Sequence, residues 1–319
     1  MKDHHRNIEL DIVKGIGMVL MVVAHTYGPE SLFWRMVYPF HMPLFYIISG
    51  YFFKGKETLT IIKASYTRLI KPYLFICITV TLIKYVQHLT NPNIQFLDLY
   101  SILNGIGPGW FLLSLFWSRF FFNYIIRIIP NHYFIASLII SSIVVITYPV
   151  LPLQTHLSLP QGLSCLFFLA IGYFTNQKKI LTKLSCHSYL VLFLSVLSWM
   201  VTFFYGKVEV STCTYKLWFI DYLGAIGGTC ICYYTAKYIN RHTHLLSTIF
   251  CKISKYSIAI LSFHAIDFNI FIWYHFDGMI RSENMLTFIT LGRLIIIFLS
   301  VFITSRIPFL YHLFVGKDK

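Results

Sequence analysis

Charge is scarce in this amino-acid sequence. Aspartate, glutamate, lysine and arginine make up 12% of its 319 residues, hydrophobic residues make up 57%, and the mean hydropathy is +0.67. Soluble domains carry roughly 25% charged residues, so this composition excludes a surface polar enough for water. The apolar residues also form runs of about 18 to 22, the length that crosses a bilayer as a helix. Lipid is therefore the expected solvent.

The chain also lacks a polar stretch long enough for a soluble domain. We predict an all-α, polytopic integral membrane protein in which residues 1–319 form a single domain with about ten transmembrane helices. The first apolar run contains Asp11, Lys14 and His25 and is not followed by a small-residue cleavage site, so we expect a retained helix and not a signal peptide. The predicted spans are 8–27, 36–53, 70–90, 107–126, 133–153, 158–176, 188–206, 217–239, 256–275 and 286–305.

Acidic residues are few, since 12 Asp and Glu stand against 26 Lys and Arg and leave a net charge of +14. The cations lie between the apolar runs and not on one aromatic-studded face, which argues against a nucleic-acid partner. With a cytoplasmic N-terminus, the inner segments hold most of them, and the outer loops hold Arg35, Lys207, Lys216 and Arg281. The positive-inside rule therefore predicts that both termini are cytoplasmic.

None of the seven cysteines shows a metal-ligand spacing. Cys230 and Cys232 are two residues apart on a predicted helix, so their side chains point to different sides. We expect buried free thiols and no metal site. The seven are Cys77, Cys165, Cys186, Cys213, Cys230, Cys232 and Cys251.

Charges inside the predicted spans are costly, by about 2.5 to 3.5 kcal/mol each on insertion scales, and such residues usually face a protein interior or a wet cavity. Taken together, they predict a polar pocket inside the helical bundle. Taken singly, the lysines are also explained by snorkelling to an interface and the arginines by structural pairing. The residues concerned are Lys14, Lys84, Arg119 and Arg293, with Asp11, His25, His264 and Asp267.

A polar stripe runs along the first predicted helix. Lys14 and His25 are eleven residues apart, which returns to within about 20° of the same direction and places His25 about 16 Å above Lys14. Asp11 extends the stripe by one turn, and His41 begins the second helix close to His25 in the chain. A neutral imidazole takes a proton from a sugar hydroxyl and returns it to a leaving thiolate. A lone histidine in a membrane span is more often a structural residue, but together with Lys14 and the motifs described below we predict that His25 is a general base for acyl transfer from a thioester.

Other candidate residues have both a functional and a structural explanation. Arg68 and Lys71, one helical turn apart before Pro72, predict a site for the phosphates of coenzyme A, whereas the lysines upstream of them fit topogenic charge. Trp110 could stack on a sugar or belong to an interfacial aromatic belt. His264 and Asp267 are three residues apart, so the acid either orients the imidazole or makes a structural contact between helices.

Several short segments, in this order and spacing, resemble the membrane acyltransferase-3 family, particularly its branch of fucose 4-O-acetylase-like enzymes. The resemblance implies a ten-helix enzyme of the bacterial inner membrane that moves acetyl from cytoplasmic acetyl-CoA to a sugar hydroxyl. The segments are 8–17 (IELDIVKGIG), 40–45 (FHMPLF), 49–52 (SGYF), 68–72 (RLIKP), 110–112 (WFL), 167–173 (FFLAIGY) and 254–257 (SKYS), which precedes His264.

The resemblance also implies site residues. A basic residue and a histidine separated by ten positions mark the family's first helix, and Lys14 and His25 occupy those places. Lys stands where Arg is frequent at 14 and at 71, which removes bidentate contacts to phosphate. We expect acetyl-CoA to dock against Arg68 and Lys71, pass Lys14 and present its thioester to His25. The acceptor is expected to be a cell-surface polysaccharide or its lipid-linked precursor. It would reach the thioester either from the outer side or from the cytoplasmic side of the membrane.

Two alternative functions remain open at this point. A glycan transporter or flippase would also need intramembrane charges and a cavity, although the internal repeat typical of transporters is not evident. A member of the other polytopic O-acyltransferase superfamily would also use an intramembrane histidine. That histidine lies late in those chains, whereas here the motif is on the first helix.

Overall fold

The computed structural model describes residues 7–27, 31–92, 102, 105–148, 150, 157–183, 188–269 and 283–316, which are almost entirely helical. A 3-10 turn (Gly107–Gly109) precedes the helix Trp110–Ile128, and a π-helical turn (Tyr66–Ile70) joins the helices Thr58–Ser65 and Lys71–Thr90. The helices are α1 (Ile8–Ala24), α2 (Leu32–Tyr51), α3 (Thr58–Ser65), α4 (Lys71–Thr90), α5 (Trp110–Ile128), α6 (Tyr133–Thr147), α7 (Leu159–Ser164), α8 (Leu166–Gln177), α9 (Ile180–Lys183), α10 (Ser188–Tyr205), α11 (Phe219–His242), α12 (His244–Lys255), α13 (Ser257–Asn269), α14 (Glu283–Arg306) and α15 (Pro308–Phe314).

Each of the ten predicted spans overlaps one or two of these helices. Within the described residues, three helical stretches are long and apolar enough to cross a membrane, namely Thr58–Thr90, Gly107–Ile128 and Leu286–Arg306, and the pair α12 and α13, bent by 70°, would form a fourth. The predicted sixth span is divided at Cys165 into α7 and α8. The helical character is thus confirmed, whereas the number of spans and the side of the termini stay predictions.

Some sequence-based predictions fall outside the described residues. They concern the basic residues of the two termini, one outer-loop arginine, one cysteine and the ends of two spans. These are Lys2, Arg6, Lys317, Lys319, Arg281, Cys186, and positions 149, 151–153 and 270–275.

The surface of the bundle is apolar, as expected for contact with lipid. On α6, four isoleucines at helical spacing are 52 to 57% exposed: Ile135, Ile139, Ile143 and Ile146. On α14, large apolar side chains face outward in the same way, including Leu291, Ile295, Phe298 and Phe302. Monomeric soluble proteins rarely expose contiguous apolar patches of this kind, so this surface identifies a membrane protein.

Helix α1 lies at the centre and packs against α2, α11, α12, α13 and α14. Glycines allow two of the closest helix approaches. The Phe250 carbonyl of α12 occupies the space beside Gly15 of α1, and the Ile47 carbonyl of α2 occupies the space beside Gly172 of α8. Small residues commonly permit such backbone approaches between membrane helices. The polar stripe of α1 is therefore enclosed by protein.

A short β-hairpin lies between α10 and α11. Its strands β1 (Val208–Glu209) and β2 (Thr214–Tyr215) pair antiparallel, with Val208 opposite Tyr215. A 3-10 turn (Val210–Thr212) connects them and ends at Cys213, whose φ of 52° is left-handed. Burial raises the pKa of the Cys213 thiol to about 12, so it stays protonated and unreactive.

Candidate active site

A cavity of about 50 Å³ is lined by two histidines, by the aromatic side chains of Tyr38 and Trp110, and by residues of the hairpin. We call it the imidazole cavity. His25 caps the C-terminal end of α1, and His41 lies in α2 between Pro39 and Pro43. The lining residues are Met21, His25, Tyr38, His41, Met42, Pro108, Trp110, Val210, Ser211 and Leu261. The structure thus brings Trp110, which is distant in the sequence, into one cavity with His25 and His41.

The imidazole of His25 is held by a chain of polar contacts that reaches α14. His25 Nδ1 lies 3.0 Å from His264 Nε2, and the two rings are nearly parallel with centroids 5.2 Å apart. His264 Nδ1 lies 3.9 Å from Asp267 Oδ2, and the same oxygen lies 3.5 Å from Arg293 Nε. Arg293 Nη1 also donates to Thr26 Oγ1 at 2.9 Å.

This chain of contacts favours one set of proton positions through the negative charge of Asp267, since His264 Nδ1 and Asp267 Oδ2 are too far apart at 3.9 Å for a hydrogen bond. A carboxylate only accepts, so Asp267 favours a proton on His264 Nδ1 and leaves His264 Nε2 as an acceptor. His25 Nδ1 then donates to that acceptor. In the neutral ring of His25, the lone pair is consequently on Nε2, as a general base requires.

His41 is held differently. Its Nδ1 lies 3.2 Å from the carbonyl oxygen of Tyr38, which can only accept, so this nitrogen carries the proton. The ring is perpendicular to that of His25, with centroids 6.2 Å apart. His41 therefore stands beside His25 with its own Nε2 free of a proton, although no direct hydrogen bond joins the two rings in the described residues.

A second cavity of about 230 Å³ lies nearer to the N-terminal end of α1, which is below the first cavity in the predicted orientation, and three cationic side chains line it: Lys14, Arg68 and Arg119. We call it the cationic cavity. Arg119 Nη1 donates to Ser49 Oγ at 2.9 Å, and its guanidinium lies 5.2 Å from the centre of the Phe53 ring. Among the described lining residues there is no carboxylate, so the cavity is suited to an anion.

The two cavities adjoin. Met21, Met42 and Leu261 line both of them, so these side chains form the boundary between the cationic cavity and the imidazole cavity. Flexible methionines adapt to irregular spaces and rearrange at low cost. A path from Lys14 to His25 through the bundle is therefore interrupted by three apolar side chains and not by a thick core.

The structure separates Lys71 from Arg68. The sequence places them one helical turn apart, but Arg68 lies in the π-helical turn, whose wider hydrogen-bonded ring rotates the next residues away from α-helical register. Lys71 is exposed, lies 5.8 Å from the centre of the Tyr66 ring, and does not line the cationic cavity. The third cation that lines the cavity, with Lys14 and Arg68, is Arg119.

Asp11 and Asp267 lie outside both cavities, and Asp267 contacts His264 and Arg293 as described above. Asp11 Oδ1 accepts from Ser254 Oγ at 3.1 Å and lines neither cavity. Sequence reasoning missed Tyr38 and Ser211, which line the imidazole cavity, and assigned no specific role to Arg119. A charge inside an apolar span was the available signal for Arg119; nothing local marked Tyr38 or Ser211.

The described residues contain no group of three or more His, Cys, Asp or Glu side chains arranged to hold a metal ion. Their six cysteines are free thiols, of which Cys77, Cys165, Cys213 and Cys232 are buried. The candidate site is therefore built from imidazoles and cations.

A family model described as an acyltransferase domain matches residues 7–305. The chain belongs to the acyltransferase-3 family. This result confirms the resemblance seen in the sequence. Because the match includes α1 through almost all of α14, both cavities lie within the acyltransferase-3 domain.

Two similar proteins are nodulation proteins NolL from rhizobia. That of Sinorhizobium fredii is 29% identical over 177 residues, which cover 48% of this chain and 46% of that protein. That of Mesorhizobium japonicum is 28% identical over 159 residues, which cover 44% of this chain and 40% of that protein. The chain thus spans less than half the length of these relatives. No solved structure matches it.

Proposed function

We propose that this acyltransferase-3 protein is an integral membrane O-acetyltransferase of the bacterial inner membrane. It would transfer acetyl from cytoplasmic acetyl-CoA to a sugar hydroxyl of a cell-surface polysaccharide or its lipid-linked precursor. The observation that carries this proposal is the arrangement of a cationic cavity directly below a cavity that contains an oriented imidazole. An anionic thioester donor and a hydroxyl acceptor need these two environments side by side.

The donor half of the proposal is supported by the charges of the cationic cavity. Lys14, Arg68 and Arg119 line a single space, and their mutual repulsion is relieved when a phosphate anion enters. Coenzyme A carries such anions at one end of a flexible pantetheine arm. With the phosphates at Arg68 and Arg119, the arm extends past Lys14 toward Met21 and Met42, and the thioester arrives at His25.

The acyl transfer then requires one base. The acceptor oxygen attacks the thioester carbonyl carbon while its proton moves to Nε2 of His25. The carbon–sulfur bond breaks, and His25 returns the proton to the leaving thiolate. The products are the O-acetylated sugar and the free thiol of coenzyme A. His264 and Asp267 are positioning residues in this scheme, because they act through His25.

The acceptor half is supported by the aromatic lining of the imidazole cavity. Tyr38, whose ring stacks on that of Trp34 with centroids 3.9 Å apart, and Trp110 both line the cavity, so a sugar face has aromatic surface to pack against. Ser211 of the hairpin adds a polar group. Since the hairpin lies on a predicted outer loop, we favour acceptor entry from the outer side.

The central experiment compares the O-acetyl content of surface glycan, by NMR and mass spectrometry, in cells that express the wild-type chain or His25→Ala. We expect the acetyl groups to be lost in the variant. His132→Ala is the matched control, because His132 is exposed at the start of α6, outside both cavities. Equal acetyl content in wild type and His25→Ala, at equal membrane expression, would remove His25 from the mechanism.

A transporter or flippase remains the second candidate, because two adjoining cavities within a bundle also suit translocation. Proteoliposomes without acetyl-CoA separate the two functions. A flippase moves glycan unaided, whereas an acetyltransferase leaves the glycan in place and requires the thioester.

A further inference from the structure

A basic groove on the bundle shares no lining residue with either cavity of the candidate active site. It has a volume of about 570 Å³ and runs between the start of α10 and the end of α11. Lys237, Arg241 and His242 of α11 contribute its polar side, and Tyr189 and Leu192 of α10 contribute to its apolar side. Lys237 and Arg241 have no carboxylate within ion-pair distance among the described residues, so the charge of the groove is uncompensated.

An apolar cavity of about 230 Å³ adjoins this groove. Its lining comes from α1, α2, α8, α9 and α11 and is almost entirely hydrocarbon. The lining residues are Leu10, Val13, Ile47, Ile48, Tyr51, Ile171, Thr175, Ile180, Leu181, Ile226, Thr229, Cys230, Tyr233 and Tyr234. Its character matches a hydrocarbon chain, and no step of the acyl transfer uses it.

Tyr234 connects the two spaces. Its side chain lines both the basic groove and the apolar cavity. Its hydroxyl is shielded from solvent and has no hydrogen-bond partner in the described part of the chain. A buried hydroxyl without a partner is costly, so this position favours a ligand that brings a hydrogen-bonding group to the junction.

The groove lies toward the end of α11 that is predicted to be cytoplasmic, where a bilayer would present its headgroups. The hydroxyl of Tyr233, next to Tyr234, donates to Glu9 Oε2 at 2.8 Å, so this part of α11 lies level with the start of α1. Lys237 and Arg241 follow one and two turns further, toward the end of α11. Hydrocarbon-lined space and cationic groups therefore succeed each other along the helix, in the order in which a phospholipid presents its chains and its phosphate.

We propose that the groove and the apolar cavity together bind one anionic phospholipid. An acyl chain occupies the apolar cavity, the glycerol ester region meets the Tyr234 hydroxyl, and the phosphate lies between Lys237 and Arg241. Basic residues at a membrane surface attract anionic lipids by roughly 1 kcal/mol each. Two such residues give about a 30-fold preference over a zwitterionic lipid with the same chains.

The test uses the full-length protein in detergent and native mass spectrometry with phosphatidylglycerol or phosphatidylcholine of identical acyl chains. The wild-type protein should bind phosphatidylglycerol more tightly than phosphatidylcholine. In the double variant Lys237→Gln with Arg241→Gln, the ratio of the two affinities should fall by about 10- to 30-fold. Tyr234→Phe should weaken binding of both lipids. Lys252→Gln is the control, because Lys252 is an exposed cation of α12 that lines neither space.

Three outcomes would overturn the proposal. The double variant retains the preference, the Lys252 variant loses it equally, or inorganic phosphate and a short-chain glycerophosphate compete as well as the long-chain lipid. The last result would identify a site for free anions. Because the substituted side chains lie outside both active-site cavities, O-acetyl content reports separately on the proposed acetyltransferase function.

Discussion

Asp267 tests the proton assignment at the scale of single residues. Its carboxylate favours the proton on His264 Nδ1 and so leaves Nε2 of His25 free to act as a base. Asp267→Asn presents an amide that can donate, which permits the opposite tautomer. We expect kcat to fall roughly 10- to 1,000-fold with little change in KM for acetyl-CoA, because the loss is confined to the proton transfer.

The control for this variant is the amount of folded protein. Asp267 also meets Arg293, so a structural role alone would lower the yield or the thermal stability and leave the kcat of the folded fraction unchanged. An unchanged kcat for purified Asp267→Asn would contradict the assignment of Asp267 as a positioning residue.

Arg119 tests the donor site. Removal of its charge by Arg119→Gln should raise KM for acetyl-CoA roughly 10- to 100-fold, since a hydrogen bond to a charged group contributes about 1.5 to 3 kcal/mol. Lys71→Gln should change KM much less, because Lys71 lies outside the cationic cavity. Arg127→Gln is the matched control on the same helix. Arg127 is exposed, and its Nη1 donates a hydrogen bond to Thr58 Oγ1. A larger effect at Lys71 than at Arg119 would invert this picture of the donor site.

Lys14 and His25 could be predicted from spacing on one helix, and His264 with Asp267 from a three-residue interval, because these relations are local. The presence of Arg119 in the cationic cavity and the position of Lys71 outside it could not be predicted. They depend on a π-helical turn and on the packing of α5 beside α2. Tyr38 and Ser211 join the site through tertiary contacts between segments that are far apart in sequence.

At the scale of elements, the close contact between α2 and α8 is a stability determinant. The Ile47 carbonyl fills the position that a Cβ of residue 172 would need, so Gly172→Ala must push the two helices apart. Overpacking of this kind costs typically 1 to 3 kcal/mol. We expect a lower thermal midpoint for the purified variant in detergent.

Gly109→Ala is the control for that measurement. A Cβ there would meet the side chains of Ile76 and Tyr73 at ordinary distances of 3.5 Å or more, and the backbone φ of −63° at Gly109 suits any residue. If both variants lower the thermal midpoint equally, the α2 and α8 contact has no special importance for stability.

Apolar run length predicted where the helices lie, because a segment of this hydrophobicity has one stable backbone arrangement in lipid. It did not predict the division of the sixth span at Cys165 or the bend between α12 and α13. At such breaks, backbone N–H and C=O groups lose their helical hydrogen bonds, and neighbouring helices must satisfy them. The sequence of one segment does not show which helices pack beside it. The hairpin at 208–215 was likewise too short to leave a strand pattern.

At the scale of the whole molecule, the proposed function depends on passage between two cavities. Donor phosphates and acceptor meet environments that lie at different depths, and the thioester must cross the boundary formed by Met21, Met42 and Leu261. The two sites therefore act as one enzyme only if these side chains let the pantetheine arm through.

Met42→Trp tests this passage, because a rigid indole replaces a flexible side chain at the boundary. We expect acetyl-CoA binding to stay within a factor of about two, since the cations of the lower cavity are untouched, while acetyl transfer falls by roughly 100-fold. Met42→Leu conserves volume and should keep both properties. Leu261→Phe narrows the same boundary from α13. A matching loss of transfer in this variant would show that the effect of Met42→Trp is not a folding defect specific to residue 42. Full transfer activity in both enlarged variants would mean that the acetyl group reaches the acceptor by a route that does not pass between the two cavities.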